Sequence, residues 1–106
     1  MNAAQARRIM RERRMDLRKT EDRDEMAIHA DQIMTAYETA YEAYNGKKIR
    51  LCYTRGFVRL DAQNMPRDSL GATGVQFKSY RLKELQSLTR ELEARAHAAN
   101  MGESDD

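Results

Sequence analysis

Between Glu21 and Asn45, apolar residues fall at three- and four-residue steps: Met26, Ala30, Ile33, Tyr37, Tyr41 and Tyr44. A helix turns once in about 3.6 residues, so this spacing gathers all of them on one face. Asp31, Glu38 and Glu42 lie off that stripe. Asn45-Gly46 then predicts a stop, because both residues tolerate left-handed backbone. Immediately afterwards the period changes. From Lys47 to Thr54, Ile49, Leu51 and Tyr53 point one way, and Lys48, Arg50, Cys52 and Thr54 the other. That alternation predicts a half-buried strand. Arg55-Gly56 is a turn candidate, and Phe57 to Leu60 is read as a short returning strand.

A second apolar line closes the chain. Leu82, Leu85, Leu88, Leu92 and Ala96 predict a helix from Tyr80 or Arg81 to about Asn100, with Ser79 as its cap. Between hairpin and helix, Ala62 to Gly74 holds the only proline and two glycines and is read as a loop. Val75 to Ser79 is read as a further strand. Ahead of Glu21, the stretch from Asn2 to about Lys19 has helix formers and no Gly or Pro. Its apolar positions are sparse: Ala6, Ile9, Met10 and Leu17. Thr20 is a candidate N-cap before Glu21, Asp22, Asp24 and Glu25. Either a new helix starts there or one long helix runs through. The expected fold class is α+β, a helix, an antiparallel β-hairpin and a helix, with an additional N-terminal basic helix. Residues 1–20 are then a basic helical extension, 21–100 the αββα domain with a long loop at 61–74, and 101–106 a disordered acidic tail.

A chain of 106 residues suggests one domain with a small core. Its net charge of +2 conceals blocks of opposite sign. Residues 1–20 carry seven Lys/Arg against Glu12 and Asp16, a net of +5. Residues 21–45 carry seven acids against Arg23, a net of −6. Residues 46–62 return to +4, with five Lys/Arg against Asp61. Such blocks favour head-to-tail contacts between copies or contact with a charged partner. Arg7, Arg8, Arg11, Arg14 and Arg18 recur at helical steps, a candidate contact for DNA phosphates or for an acidic protein face.

Enzyme chemistry finds little footing. His29 and His97 have no neighbouring His or Cys at metal-ligand spacing. Gly71-Ala-Thr-Gly74 leads into a predicted strand, unlike a phosphate loop. Cys52, the only cysteine, has basic neighbours in Lys48 and Arg50 that would favour a thiolate, but a simply packed thiol is the plainer reading. One cysteine allows no internal disulfide, so a reducing cytosol is the default compartment. The first residues form no apolar signal core, and no stretch approaches the ~20 apolar residues of a membrane span. The sequence therefore assigns no catalytic, metal-binding or cofactor-binding residue, and it predicts a soluble protein that acts by binding other macromolecules.

Tyr44-Asn-Gly-Lys-Lys-Ile-Arg-Leu, followed later by Val75-Gln-Phe-Lys-Ser-Tyr-Arg-Leu-Lys-Glu-Leu, resembles the lambda gpW head-to-tail joining family of tailed phages. In that family a helix ends in Gly-Lys, a basic hairpin follows, and a Val-x-Phe strand runs into a leucine-bearing helix. Gly46, Lys47, Val75, Phe77, Leu85, Glu91 and Leu92 match the pattern, over roughly residues 30–97. This chain departs from it in a longer connection near Phe57 to Thr73, in the basic N-terminal helix and in the acidic C-terminus. The resemblance implies a non-enzymatic head–tail connector, or adaptor, in the virion neck, synthesised in the host cytoplasm. It implies a homo-oligomer, a dodecameric ring beneath the portal protein, with a tail-side neck or tail protein docked on it, double-stranded DNA passing through, and no membrane or cofactor. Candidate subunit or portal contacts are Lys47, Lys48, Arg50, Glu38, Glu42, Tyr37 and Tyr41, with acidic helix 21–45 of one copy meeting the basic hairpin of the next. Arg7, Arg8, Arg11, Arg14 and Arg18 are candidates for the DNA channel or a partner. The competing readings are a small DNA-binding or regulatory protein and a phage-encoded inhibitor of a host protein.

Overall fold

A computed structural model describes residues 3–17, 22–61 and 78–104, with 100–104 described by their backbone. The order is α1 (Ala3–Glu12), α2 (Arg23–Asn45), β1 (Leu51–Thr54), β2 (Phe57–Leu60) and α3 (Leu82–Ser104). The fold is α+β, with an antiparallel hairpin between two long helices and a short helix in front.

Each boundary has a local cause. The Asp22 carboxylate accepts from the Glu25 N–H at 3.2 Å and caps α2, while Asp24 and Glu25 add negative charge where the helix dipole is positive. At the far end Gly46 takes φ 72° and donates its N–H to the Glu42 carbonyl at 2.8 Å. The hairpin turns on Arg55 and Gly56, both at positive φ (47° and 93°), as a two-residue turn of the primed type requires. Its register pairs Leu51 with Leu60, Cys52 with Arg59, Tyr53 with Val58 and Thr54 with Phe57. At the start of α3 the Glu84 carboxylate reaches back to accept the Arg81 N–H at 3.1 Å, which is half of a capping box.

The two-stranded ribbon is covered at both edges. Asp16 bridges β1 in parallel, donating its N–H to the Tyr53 carbonyl at 3.1 Å and accepting the Arg55 N–H at 2.7 Å. On the other edge Tyr80 exchanges hydrogen bonds with Val58 at 2.7 and 3.1 Å. An open ribbon edge invites pairing with another chain, and both edges are blunted here. The core lies under the ribbon. Leu51, Tyr53 and Val58 meet Ala27, Ile33, Met34 and Tyr37 of α2, Leu85 of α3, and Ala6, Ile9 and Leu17 of the N-terminal segment. Met34, Leu51, Val58 and Leu85 are fully buried, each contributing about 1.5–3 kcal/mol by leaving water.

The α2 stripe and the strand alternation lie where the sequence placed them. Ile33, Tyr37, Tyr41, Ile49, Leu51 and Tyr53 are buried, although Tyr44 is exposed. Other expectations are corrected. The basic helix does not run to Lys19, nor does one long helix continue into α2, because α1 ends at Glu12. The chain turns at Arg14, in left-handed backbone at φ 51°. The Met15 N–H reaches the Met10 carbonyl at 2.9 Å and the Arg14 N–H that of Arg11 at 3.3 Å, a Schellman pattern without glycine. The strand begins at Leu51, not Lys47. Ser79 does not cap α3, which starts later, at Leu82. That helix also passes Asn100 and Gly102 and takes in Glu103 and Ser104 of the tail expected to be disordered. Thr20 does not cap α2, because Asp22, directly before Arg23, takes that place. Arg18, the strand residues Val75 and Phe77, and all of the 61–74 loop except Asp61 lie outside the described residues.

Candidate functional site

The densest polar constellation centres on Arg13, whose side chain is only 2% exposed. It sits in the N-terminal strap, residues 3–17, and points between α2 and β1. Its Nε donates to Asp31 Oδ1 at 2.6 Å, and Nη1 donates to Glu38 Oε2 at 3.0 Å and to the Leu51 carbonyl at 2.9 Å. Nη2 donates to Thr35 Oγ1 and Glu38 Oε1, both at 2.9 Å. A guanidinium has five N–H donors, and these contacts engage all of them. Glu38 Oε2 also accepts the Leu51 N–H at 2.8 Å, so one carboxylate holds both the arginine and the first residue of β1. Burial alone would push the Arg13 guanidinium down. Its hydrogen bonds and charge contacts with Glu38 and Asp31 outweigh that and hold it above its ordinary value.

This clasp alters the list of surface candidates. Glu38, a candidate for subunit contact, is engaged inside the molecule, and Asp31 with it. Both are removed from the acidic face expected to meet a neighbour. Glu42, Lys47 and Lys48 are exposed, and Arg50 is half-buried with its carbonyl accepting the Asp61 N–H at 2.8 Å. Arg7, Arg8 and Arg11 are exposed on α1, but Arg14 lies past the helix end, so the five arginines do not form one helical stripe. Arg14 instead approaches the buried Asp61 at 3.8 Å.

Tyr37 and Tyr41 are buried, with ring centroids 6.1 Å apart and planes tilted by 32°. They floor a groove of about 230 Å³ between α2 and α3, with Tyr44, Tyr80, Leu88 and Leu92 around it. Burial first, then the neighbouring Tyr80 and Tyr41, pushes the Tyr37 hydroxyl up to about 12. Burial also raises Tyr41. A second, more polar cleft of about 380 Å³ lies between the same helices, bordered by His29, Gln32, Gln86 and Arg90.

Cys52 faces away from the core beside its register partner Arg59. Burial pushes its thiol up, and Asp61 adds to that. Arg14, Arg59 and Arg13 oppose the shift without reversing it. The expectation that basic neighbours would favour a thiolate is therefore corrected, with the plainer reading of a packed thiol the better fit. Among the described residues, no three His, Cys, Asp and Glu side chains group so as to hold a metal, and no helix is long and apolar enough to cross a membrane.

Sequence reasoning missed Arg13, although a signal was present. Arg13 is four residues after Ile9 and four before Leu17, on the apolar side of its segment. Its partners Asp31, Thr35 and Glu38 recur at four- and three-residue steps, a polar stripe along α2. Compared with known protein families, curated proteins and solved structures, the chain matches none.

Proposed function

We propose that this chain is a ring-forming connector that joins the head of a tailed phage to its tail and extends the DNA channel below the portal. The observation that carries the reading is the coincidence of motif and frame. Gly46-Lys47 of the gpW-like pattern stands at the end of the first long helix, the basic residues lead into the hairpin, and Leu85 and Leu92 lie on the second helix.

The charge distribution supports head-to-tail assembly. With Asp31 and Glu38 engaged by Arg13, the remaining described acids of α2 and its cap are Asp22, Asp24 and Glu25 at one end and Glu42 near the other. Lys47 and Lys48 follow the opposite end, about 34 Å away at 1.5 Å of rise per residue over the 23 residues of α2. Opposite charges at opposite ends suit a heterologous contact, the kind that closes into a ring when its rotation allows.

The test is native mass spectrometry and electron microscopy of the full chain, alone and mixed with a tailed-phage portal protein. Rings are expected, and Lys47→Glu with Lys48→Glu should abolish them while leaving the helical circular dichroism unchanged. Rings that survive this charge reversal, or a chain that stays monomeric and ignores the portal, would overturn the reading.

A further inference from the structure

The fold brings together arginines that are far apart in sequence. Arg8 and Arg11 are exposed on α1, one turn apart. The Arg14 N–H bonds to the Arg11 carbonyl, and its half-exposed side chain continues the row along the strap. Arg59 is the register partner of Cys52 on the outer face of the hairpin, and Arg14 comes within 3.8 Å of Asp61, two residues beyond Arg59. Arg55, at the turn, is anchored to Asp16 of the strap at 3.2 Å. The strap is laid against β1 by the Asp16–Thr54 bridge, so helix, strap and hairpin form one continuous exterior.

We propose that this arginine surface docks on the phosphate backbone of double-stranded DNA. Three observations favour that partner. The cations at its centre are all arginines, whose planar forks match phosphate oxygens in pairs. Among the described residues the surface has no exposed apolar centre: Ala6 and Ile9 turn inward, and Phe57 lies under Arg81 at 4.6 Å. A protein partner would need such a centre, whereas a phosphate backbone asks only for donors and charge. Nor do the described residues of this surface present an uncovered aromatic ring on which a single strand could stack, so a duplex fits better. Asp61 sits within the patch but is 4% exposed and covered by Arg14. The connector reading supplies the duplex that this surface would meet, but the surface itself is read from the fold.

The experiment is fluorescence anisotropy of the full chain with a labelled mixed-sequence duplex between 50 and 200 mM salt. With Arg8, Arg11, Arg14 and Arg59 each neutralising one phosphate, the slope of log K against log salt should be about −3.6, an affinity loss of roughly 150-fold across that range. Arg11→Gln with Arg59→Gln, both at exposed positions, should halve the slope and cut the loss to roughly 12-fold. Lys47→Gln with Lys48→Gln should leave it unchanged. The Cys52 thiol gives a second readout, since saturating duplex should slow its alkylation by N-ethylmaleimide severalfold in the parent chain and not in the arginine variant. No binding at 50 mM salt, an unchanged slope in the arginine variant, an equal effect of the lysine variant, or binding of polyglutamate in preference to the duplex would each overturn the proposal. Ring formation is scored separately. Rings without DNA contact sink this inference alone, and DNA contact without rings sinks the connector reading alone.

Discussion

Replacing Arg13 with methionine removes the charge while roughly keeping the length of the side chain. Asp31, Thr35, Glu38 and the Leu51 carbonyl would each lose a donor, and Glu38 would keep the Leu51 N–H while its side chain stays 13% exposed. Removing one member of a buried ion pair leaves an uncompensated charge, at about 3–5 kcal/mol. The 29% exposure of Asp31 lets water take over part of its loss, so the lower half of that range is expected. A domain of this length has roughly 5–15 kcal/mol in all, so the variant should stay folded but fragile. At a urea slope of about 2 kcal/mol per molar, the midpoint should fall by roughly 1.5–2 M. Arg13→Lys keeps the charge but concentrates its donors on one nitrogen, which cannot span Asp31, Thr35, Glu38 and Leu51 together; about half the loss is expected. A double-mutant cycle of Arg13→Met with Glu38→Gln should show coupling above about 2 kcal/mol. Limited proteolysis should show the strap cut first, since the clasp is its main polar tie to α2. A midpoint within about 0.25 M of the parent, or a cycle with no coupling, would mean that the guanidinium is not held as described.

Two further outcomes follow from the turn and the tyrosines. Arg55→Asn puts a residue tolerant of left-handed backbone where φ is 47° and gives up an ion pair whose partners are 74% and 55% exposed. Relief of about 1 kcal/mol against a few tenths lost predicts a net gain by thermal denaturation, and a loss of stability would refute the turn assignment. Tyr37 titrates near 10 when unfolded and is pushed up to about 12 when folded, so the unfolded chain ionises first on the alkaline side. Its contribution is complete below pH 10 and falls by up to about 2–3 kcal/mol as pH rises to 12. Tyr37→Phe should flatten urea midpoints across that window, and an unchanged slope would show the hydroxyl to be better hydrated than its burial suggests.

Much of the frame was legible because it obeys local rules. The α2 stripe, the Asn45-Gly46 stop and the alternation of Ile49, Leu51 and Tyr53 each reflect one element and its own period. The end of α1 was not legible. A helix normally stops on glycine or asparagine, and here Arg14 takes the left-handed position, held by Met10 and Met15 against the core and by Asp61. Tertiary contact overrides propensity at that residue, and nothing in the run Arg11-Glu12-Arg13-Arg14 announces it. The start of α3 shows the reverse. Its cap comes from Glu84, three residues inside the helix, so the expected Ser79 was the wrong place to look.

The charge blocks teach a different lesson about the candidate surfaces. Summed by segment, residues 1–20 and 21–45 look like complementary faces for neighbouring copies. Folding satisfies part of that complementarity within one chain, because Arg13 of the basic block closes on Asp31 and Glu38 of the acidic one. What is left for partners is therefore a residue-by-residue remainder: acids at the capped end of α2, lysines past its other end, and arginines along the strap and hairpin. A buried charge whose donors are all taken within its own chain, as those of Arg13 are, lends no attraction to a neighbour, and its burial ties the strap to the domain. The surfaces proposed for sister subunits and for DNA thus depend on the clasp, since the strap must be held against β1 for Arg11 and Arg14 to share a face with Arg59. Arg13→Met should accordingly weaken duplex binding without touching the surface itself, and Arg11→Gln with Arg59→Gln should weaken it without lowering the urea midpoint. A variant series in which the two effects always move together would show that the arginine face and the clasp are not separate devices.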